Sequence, residues 1–280
     1  MRPDLHSGPG GTLERSIVNT SALDIGTVGL LLGYVLLIVP MAFILYYRVK
    51  LLKPLTVSVV RLTLQLLLVG LYLQVVFRLN AWWLNVLWLI LMLVAADISL
   101  VNSSRLKLRP FLLPVFVSLV IGTGAPLIYM LGVIVRLPNL MDARYFIPIS
   151  GMITGNSLRA DIVGLSSFYS SLHSQEKVFL SALAQGASLS EAVRPFLQKA
   201  YTASLAPTIA TMATIGIVAL PGMMTGIILG GTDPFVAIKY QIAIMMAIFS
   251  GSALAVILGI LLTLRSSFDR YGILKPEIFK

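Results

Sequence analysis

Apolar stretches at 27–47, 55–77, 82–101, 111–135, 145–170, 203–230 and 237–264 alternate with short polar segments rich in Arg, Lys, Pro and Gly. A helix needs about 20 apolar residues to cross ~30 Å of hydrocarbon. The pattern therefore predicts an all-α fold, a polytopic integral membrane protein of about seven transmembrane helices. Two stretches depart from a plain span: the fifth is polar, and the sixth is interrupted at Leu220-Pro221-Gly222. Ahead of the first run lies a polar segment, 1–26, containing Pro, Gly and Ser. That run is long, lacks a small-residue cleavage site and ends at Arg48 and Lys50, so it reads as a retained span rather than a signal peptide.

Composition sharpens this reading. Hydrophobic residues make up 58% of the chain and charged residues 11%, against about 25% charged in soluble domains. No segment is long and polar enough to fold separately in water. We read one membrane domain over 27–264, an extracytoplasmic segment 1–26 and a cytoplasmic tail 265–280. The net charge of +10 would suggest nucleic-acid binding in a soluble protein. Here the basic residues cluster at span ends, so they point to membrane lipid and not to nucleic acid.

With the N-terminus outside, thirteen Lys and Arg fall on the inner side (Arg48, Lys50, Lys53, Arg105, Lys107, Arg109, Lys177, Arg194, Lys199, Arg265, Arg270, Lys275, Lys280). Five fall outside: Arg2, Arg15, Arg78, Arg136 and Arg144. This asymmetry predicts an N-out, C-in protein of the plasma membrane, the inner membrane in a bacterium. The chain contains no cysteine, which removes disulfides, thiolate metal sites and Cys nucleophiles. His6 and His173 both lie outside the spans, and no HExxH pattern or Gly-x-x-x-x-Gly-Lys-Ser/Thr loop occurs. No catalytic residue is assigned, and a transporter of this kind must draw on a gradient or on another subunit.

The longest stretch expected on the inner side is 171–202. Val178, Phe179, Ala182 and Leu183 recur at helical spacing, Gly186 ends that helix, and Ser188 with Glu191 forms a capping box that starts another. Pro195 is expected to kink or restart it. The element is either an amphipathic connector on the headgroups or a docking element for a cytoplasmic partner.

Polar residues inside spans carry the remaining information. Arg61, Gln65 and Ser58 lie within about 60° of one another on an ideal helix. Arg61 is near a span end and could snorkel, and Gln65 with Gln74 could serve as interhelical glue. Asp97 is expected to pair with Arg105 or Lys107. In the fifth span Ser150, Thr154, Ser157, Asp161 and Gly164 form a stripe about 80° wide, with Asn156 and Arg159 pointing elsewhere. The stripe suits either a water-accessible pathway or a tight helix interface in which Gly151 and Gly155 provide the close approach. Pro221 and Gly222 break the sixth span, freeing carbonyls as transporters do at their sites. Met152, Met223 and Met224 offer thioethers that are either soft metal ligands or gap-fillers. No metal-ligand set is assigned.

These motifs resemble a known family. Arg61-x-x-x-Gln65-Leu66 with Gly70, Gly151-Met152-Ile153-x-Gly155-Asn156-Ser157 and Leu183-Ala184-x-Gly186-Ala187-Ser188 with Glu191-Ala192 are similar to the FetB family of iron-export ABC permeases. So are Pro207, Gly216-x-Val218-x-Leu220-Pro221-Gly222-Met223-Met224-Thr225-Gly226, Leu229-x-Gly231, Pro234 and Tyr240-Gln241. A plant ABC-type protein of aluminium tolerance is a relative. The chain departs from the family pattern at Leu158-Arg159, where Met-Thr is usual, and at Ile227, where Gln is usual.

The resemblance implies an ABC permease subunit that binds no cofactor itself. It would work with a separate cytoplasmic ATPase that binds ATP, as two copies of each, and would export a metal ion such as iron or a metal-linked solute. It implies ATPase coupling through Gly186, Ala187, Ser188 and Glu191. From the residues themselves we expect the fifth-span stripe to face the broken sixth span, with the translocation pathway among Arg61, Gln65, Asn156, Ser157, Asp161, Pro221, Gly222, Met223 and Met224. The alternatives are a gradient-driven secondary carrier using Asp161, and an intramembrane scaffold or assembly protein whose polar residues only join helices.

Overall fold

The computed structural model describes residues 25–104, 107–269 and 274–275. Residues 1–24, Arg105, Arg270 and Lys280, which entered the sequence expectations, lie outside the described residues. Within them the chain is helical and contains no strands. In order come α1 (Thr27–Val35), α2 (Ile38–Tyr46), α3 (Leu52–Leu79), α4 (Trp82–Ser103) and α5 (Leu108–Tyr129), the last continued by a π-helical turn, Met130–Ile134. Then follow α6 (Ala143–Ser174), α7 (Glu176–Ala184), α8 (Leu189–Thr214), α9 (Gly222–Leu229) and α10 (Pro234–Ser267).

Local sequence accounts for the boundaries. Pro40 has no amide hydrogen and its ring crowds the carbonyl four residues back, at Leu36, where α1 gives way to α2. Asp142 caps α6 by accepting from the Arg144 amide at 3.0 Å, and Asn80 Oδ1 accepts from the Ala143 amide at 3.0 Å. Asn85 Nδ2 donates to the Met141 carbonyl at 2.6 Å, so the α3–α4 turn is pinned to the start of α6. α8 runs unbroken through both Pro195 and Pro207, so Pro195 does not restart the helix as the sequence suggested.

Among the described residues five helical stretches are long and apolar enough to cross a membrane: Thr27–Tyr46, Leu52–Leu79, Trp82–Ser103, Pro110–Ile134 and Pro234–Ser267. The expected fifth and sixth spans are absent from that set for the reasons visible in the sequence, polarity and interruption. Both nevertheless travel the length of the bundle. α6 follows α10 in parallel: Ile153 meets Gly251, Gly164 meets Val256, and the Tyr169 and Ser267 hydroxyls share a hydrogen bond of 2.7 Å. α8 begins in the core at one end, with Phe196 beside Phe179, and reaches the other, where Met212 packs near Ile147 and Ile244. Ser150, Thr154, Ser157, Asp161 and Ser204 are buried within the bundle, whereas Arg159 and Thr211 are exposed.

The bundle is centred on α10, which packs against α5, α6, α8 and α9. Helix association inside lipid gains nothing from excluding water, so close van der Waals contact carries it. Here backbones approach because small residues face one another. A Cβ built on Gly122 of α5 would lie 2.7 Å from Ala255 Cβ and 2.9 Å from the Gly251 carbonyl oxygen. α1 and α2 contribute no buried residue and α3 only Val76, so this part of the chain joins the core only through the last turns of α3.

Gly122→Ala should therefore force α5 and α10 apart and cost about 1–3 kcal/mol, read as a lower thermal midpoint of the full chain in detergent. Gly124→Ala is the control. A Cβ there meets nothing within 4 Å, and the better helix former should leave the midpoint unchanged or raise it.

Candidate functional site

A cavity of about 610 Å³ opens between α6, α8, the Ile215–Pro221 break and α10. Met152, Asn156, Arg159 and Val163 face it from α6, and Pro207, Thr208 and Thr211 from α8. Pro221, Gly222 and Met223 close it at the break, and Gln241, Ile244, Met245 and Ile248 line it from α10.

The expected pathway residues separate into three places. Asn156, Pro221, Gly222 and Met223 line the cavity. Ser157 and Asp161 do not, and Met224 is buried behind its neighbour. Arg61 and Gln65 sit elsewhere, in a shallow groove on the exposed side of α3.

The polar stripe of α6 thus does not face the broken span. Thr154 shares a 3.3 Å hydrogen bond with Thr123 of α5, and a Cβ on Gly251 of α10 would lie 3.5 Å from Ser157 Oγ. The reason is size: Ser, Thr and Gly let α6 approach helices that are themselves lined by small residues. The sequence placed the close approach at Gly151 and Gly155, but a Cβ on Gly155 would meet nothing within 4 Å and one on Gly151 only Met92 Cε at 3.7 Å. The close approaches are at Gly122, Gly164 and Gly251.

Asp161 is fully buried, and neither carboxylate oxygen has a hydrogen-bond partner among the described residues. Ser157 Oγ and Ser252 Oγ are likewise unpartnered. Asp97 is buried with Oδ1 unpartnered, and no ion pair joins it to Lys107. Among the described residues no three His, Asp or Glu side chains converge as a metal site would require.

The break is more self-satisfied than the sequence implied. Gly216 N donates to the Ala219 carbonyl at 3.0 Å, and Thr225 N donates to the Pro221 carbonyl at 3.0 Å. What the break does leave open is the first turn of α9, whose leading amides sit at the cavity wall beside Gly222 and Met223.

The turn between α7 and α8 is ordered by its own chemistry. Gly186 adopts φ +92°, which side chains resist, and the Ala187 amide reaches back to the Ala182 carbonyl at 3.1 Å. Ser188 N donates to Glu191 Oε2 at 2.8 Å and Ser188 Oγ accepts from the Glu191 amide, completing the capping box. The Ser188 hydroxyl and amide hold the Glu191 carboxyl below its ordinary range. A depressed value means this stabilisation is present above the ordinary carboxylate range and fades as pH falls through the lowered one. Gly186, Ser188 and Glu191 are exposed and Ala187 is half-buried. α7 does not float on a surface: Phe179 is buried against Phe196 and Phe268 at ring separations of 6.5 and 5.7 Å.

Sequence reasoning passed over Gln241, Thr208 and Thr211, and set Arg159 aside. The signal was there for two of them. A glutamine within an otherwise apolar span and an arginine at its middle are both costly in lipid.

A polytopic α-helical membrane protein with a cavity walled by an interrupted helix is the class these features define. The chain belongs to UPF0014, described as an uncharacterised protein family, whose model matches residues 27–268. It is 32% identical to the UPF0014 membrane protein slr1647 of Synechocystis, over 92% of this chain and 98% of that one. It is 29% identical to the probable iron export permease protein FetB of Escherichia coli, covering 85% and 91%. It is also 29% identical to the protein ALUMINUM SENSITIVE 3 of Arabidopsis thaliana, covering 87% and 89%. No solved structure matches the chain.

An uncompensated buried carboxylate is expensive. Asp161→Asn should therefore retain or gain stability, by up to about 3 kcal/mol, when thermal unfolding of the full chain is followed in detergent. A fall in the midpoint would mean that a cation or second chain satisfies the carboxylate.

Proposed function

We propose that this chain is the membrane permease subunit of an ABC-type transporter, driven by a separate cytoplasmic ATPase and exporting a metal ion or metal-linked solute. One observation carries the reading. α8 is a single unbroken helix, about 39 Å long, that starts at the ordered Gly186-Ala187-Ser188 turn and ends in the cavity wall at Thr208 and Thr211. A push on the exposed turn is therefore transmitted to the cavity by one rigid element. ATP would be bound and hydrolysed in the partner, and this chain would supply the path. Metal cargo and outward direction come from the similarity to the probable iron export permease.

The secondary-carrier alternative rests on Asp161. That residue is fully buried and does not line the cavity, and nothing in the site favours it. Two copies of the permease fit the exposed side of α3. Arg61 and Gln65 lie there uncovered, about 14–20 Å along the helix from Leu52. Lipid offers them nothing to bond; a second copy would. The basic asymmetry places the turn on the cytoplasmic side of the plasma membrane, with 1–26 outside and 265–280 inside.

Replacing Gly186 by Val should weaken co-purification of the ATPase and reduce transport, while the protein stays inserted. A β-branched residue at φ +92° must rebuild the turn. Full co-purification with normal transport would reduce the segment to a connector. Gly222→Leu should leave abundance intact, since a Cβ there meets nothing within 4 Å, but abolish transport by filling the cavity. Reporter fusions after Lys53, Lys177 and Lys275 should read as cytoplasmic, and those near Asn139 and Asp233 as external.

A further inference from the structure

The proposed transport cavity also has a sign of charge, and this inference rests on that reading of the cavity. Arg159 lies about 24 Å from the start of a helix about 48 Å long, near its middle. It lies near the centre of the 145–170 stretch, where a guanidinium is costly in lipid. It faces the cavity, and no Asp or Glu lines that cavity. Asp161, two residues on, is fully buried and does not line the cavity.

The other polar groups at the wall are neutral. Gln241 is 6% exposed, with Oε1 unpartnered, and lines the same space. Its amide presents either its oxygen or its NH₂ to a ligand according to how it is turned. The opening amides of α9 at Gly222 and Met223 add the positive end of a helix. Thr208 supplies a hydroxyl. The thioethers of Met152, Met223 and Met245 are also present, but they carry no charge to offset the guanidinium.

The geometry points to an anion-binding cavity: the space between α6, α8, α9 and α10 takes a solute bearing a carboxylate or phosphate, alone or holding a metal in an anionic complex, with Arg159 as counter-charge. The planar guanidinium fork suits both oxyanions. A bare divalent cation meets a fixed like charge there and is repelled.

The absence of cysteine from the chain gives a direct test. Thr208→Cys places one thiol in the wall of the full chain, which is reconstituted in lipid nanodiscs. Its rates with an anionic and a cationic thiosulfonate reagent of similar size are then compared. The anionic reagent should react faster, and Arg159→Gln should cut that preference by about tenfold, with Arg159→Lys restoring most of it. Citrate, inorganic phosphate or iron(III)–citrate should then protect the thiol, and the protection should vanish with Arg159→Gln. Protection by citrate or phosphate alone assigns a free oxyanion; protection by iron(III)–citrate only assigns a metal-bearing complex.

The proposal is overturned by any of four results: a faster cationic reagent, an anionic preference that survives Arg159→Gln, no protection by any of the three anions, or protection by iron(II) or copper(I) alone. Because the assay uses this chain without an ATPase, its outcome is independent of whether the coupling turn binds one.

Discussion

The contact on which the remaining structure depends is the approach of α5 and α6 to α10 through small residues. Gly122, Gly251 and Ala255 bring two backbones so close that a single added methyl group would collide with a carbonyl oxygen. Ile153, Ser157 and Gly164 bring α6 onto the same helix. In lipid there is no hydrophobic pressure to hold polar helices inside a bundle, so a helix as polar as α6 stays there only if its packing is tight. Everything functional follows from that placement. With its small-residue face against α5 and α10, α6 must present its adjacent face, carrying Met152, Asn156 and Arg159, to α8 and the break.

This geometry explains what the sequence could and could not disclose. Apolar run length was enough to locate the membrane helices, because a span is a local property of composition. The capping box at Ser188 and Glu191 and the turn at Gly186 were legible for the same reason, since their partners lie within a few residues. The stripe of the fifth span was visible as a set of residues, but helical periodicity gives an angle and no neighbour. Whether Ser157 and Asp161 met water or another helix depended on Gly122 and Gly251, which lie about 35 to 95 positions away. Likewise Pro221 marked the break correctly, while the hydrogen bonds that absorb its carbonyls required the fold of residues 214–225.

α8 joins the two ends of the molecule. Its first turn is fixed by the capping box and by Phe196 against Phe179, and its last turns reach the break without a flexible joint between them. Pro195 and Pro207 each remove one backbone hydrogen bond within it. The helix continues through both positions, so motion at one end is carried to the other.

Arg159 and Asp161 show how one helix can separate opposite charges that are neighbours in sequence. At 100° per residue they diverge by about 200°, so they cannot neutralise each other. The consequence differs for each. The carboxylate is fully buried, with neither oxygen hydrogen-bonded among the described residues. The arginine stands in a space large enough for a solute. A charge kept at membrane depth without a protein partner needs a partner that arrives from outside, and the sign of that partner is fixed by the residue that waits for it. On this argument the cargo's charge is set by α6 itself. A metal-linked cargo can satisfy it only if ligands of the metal bring the complex to a net negative charge.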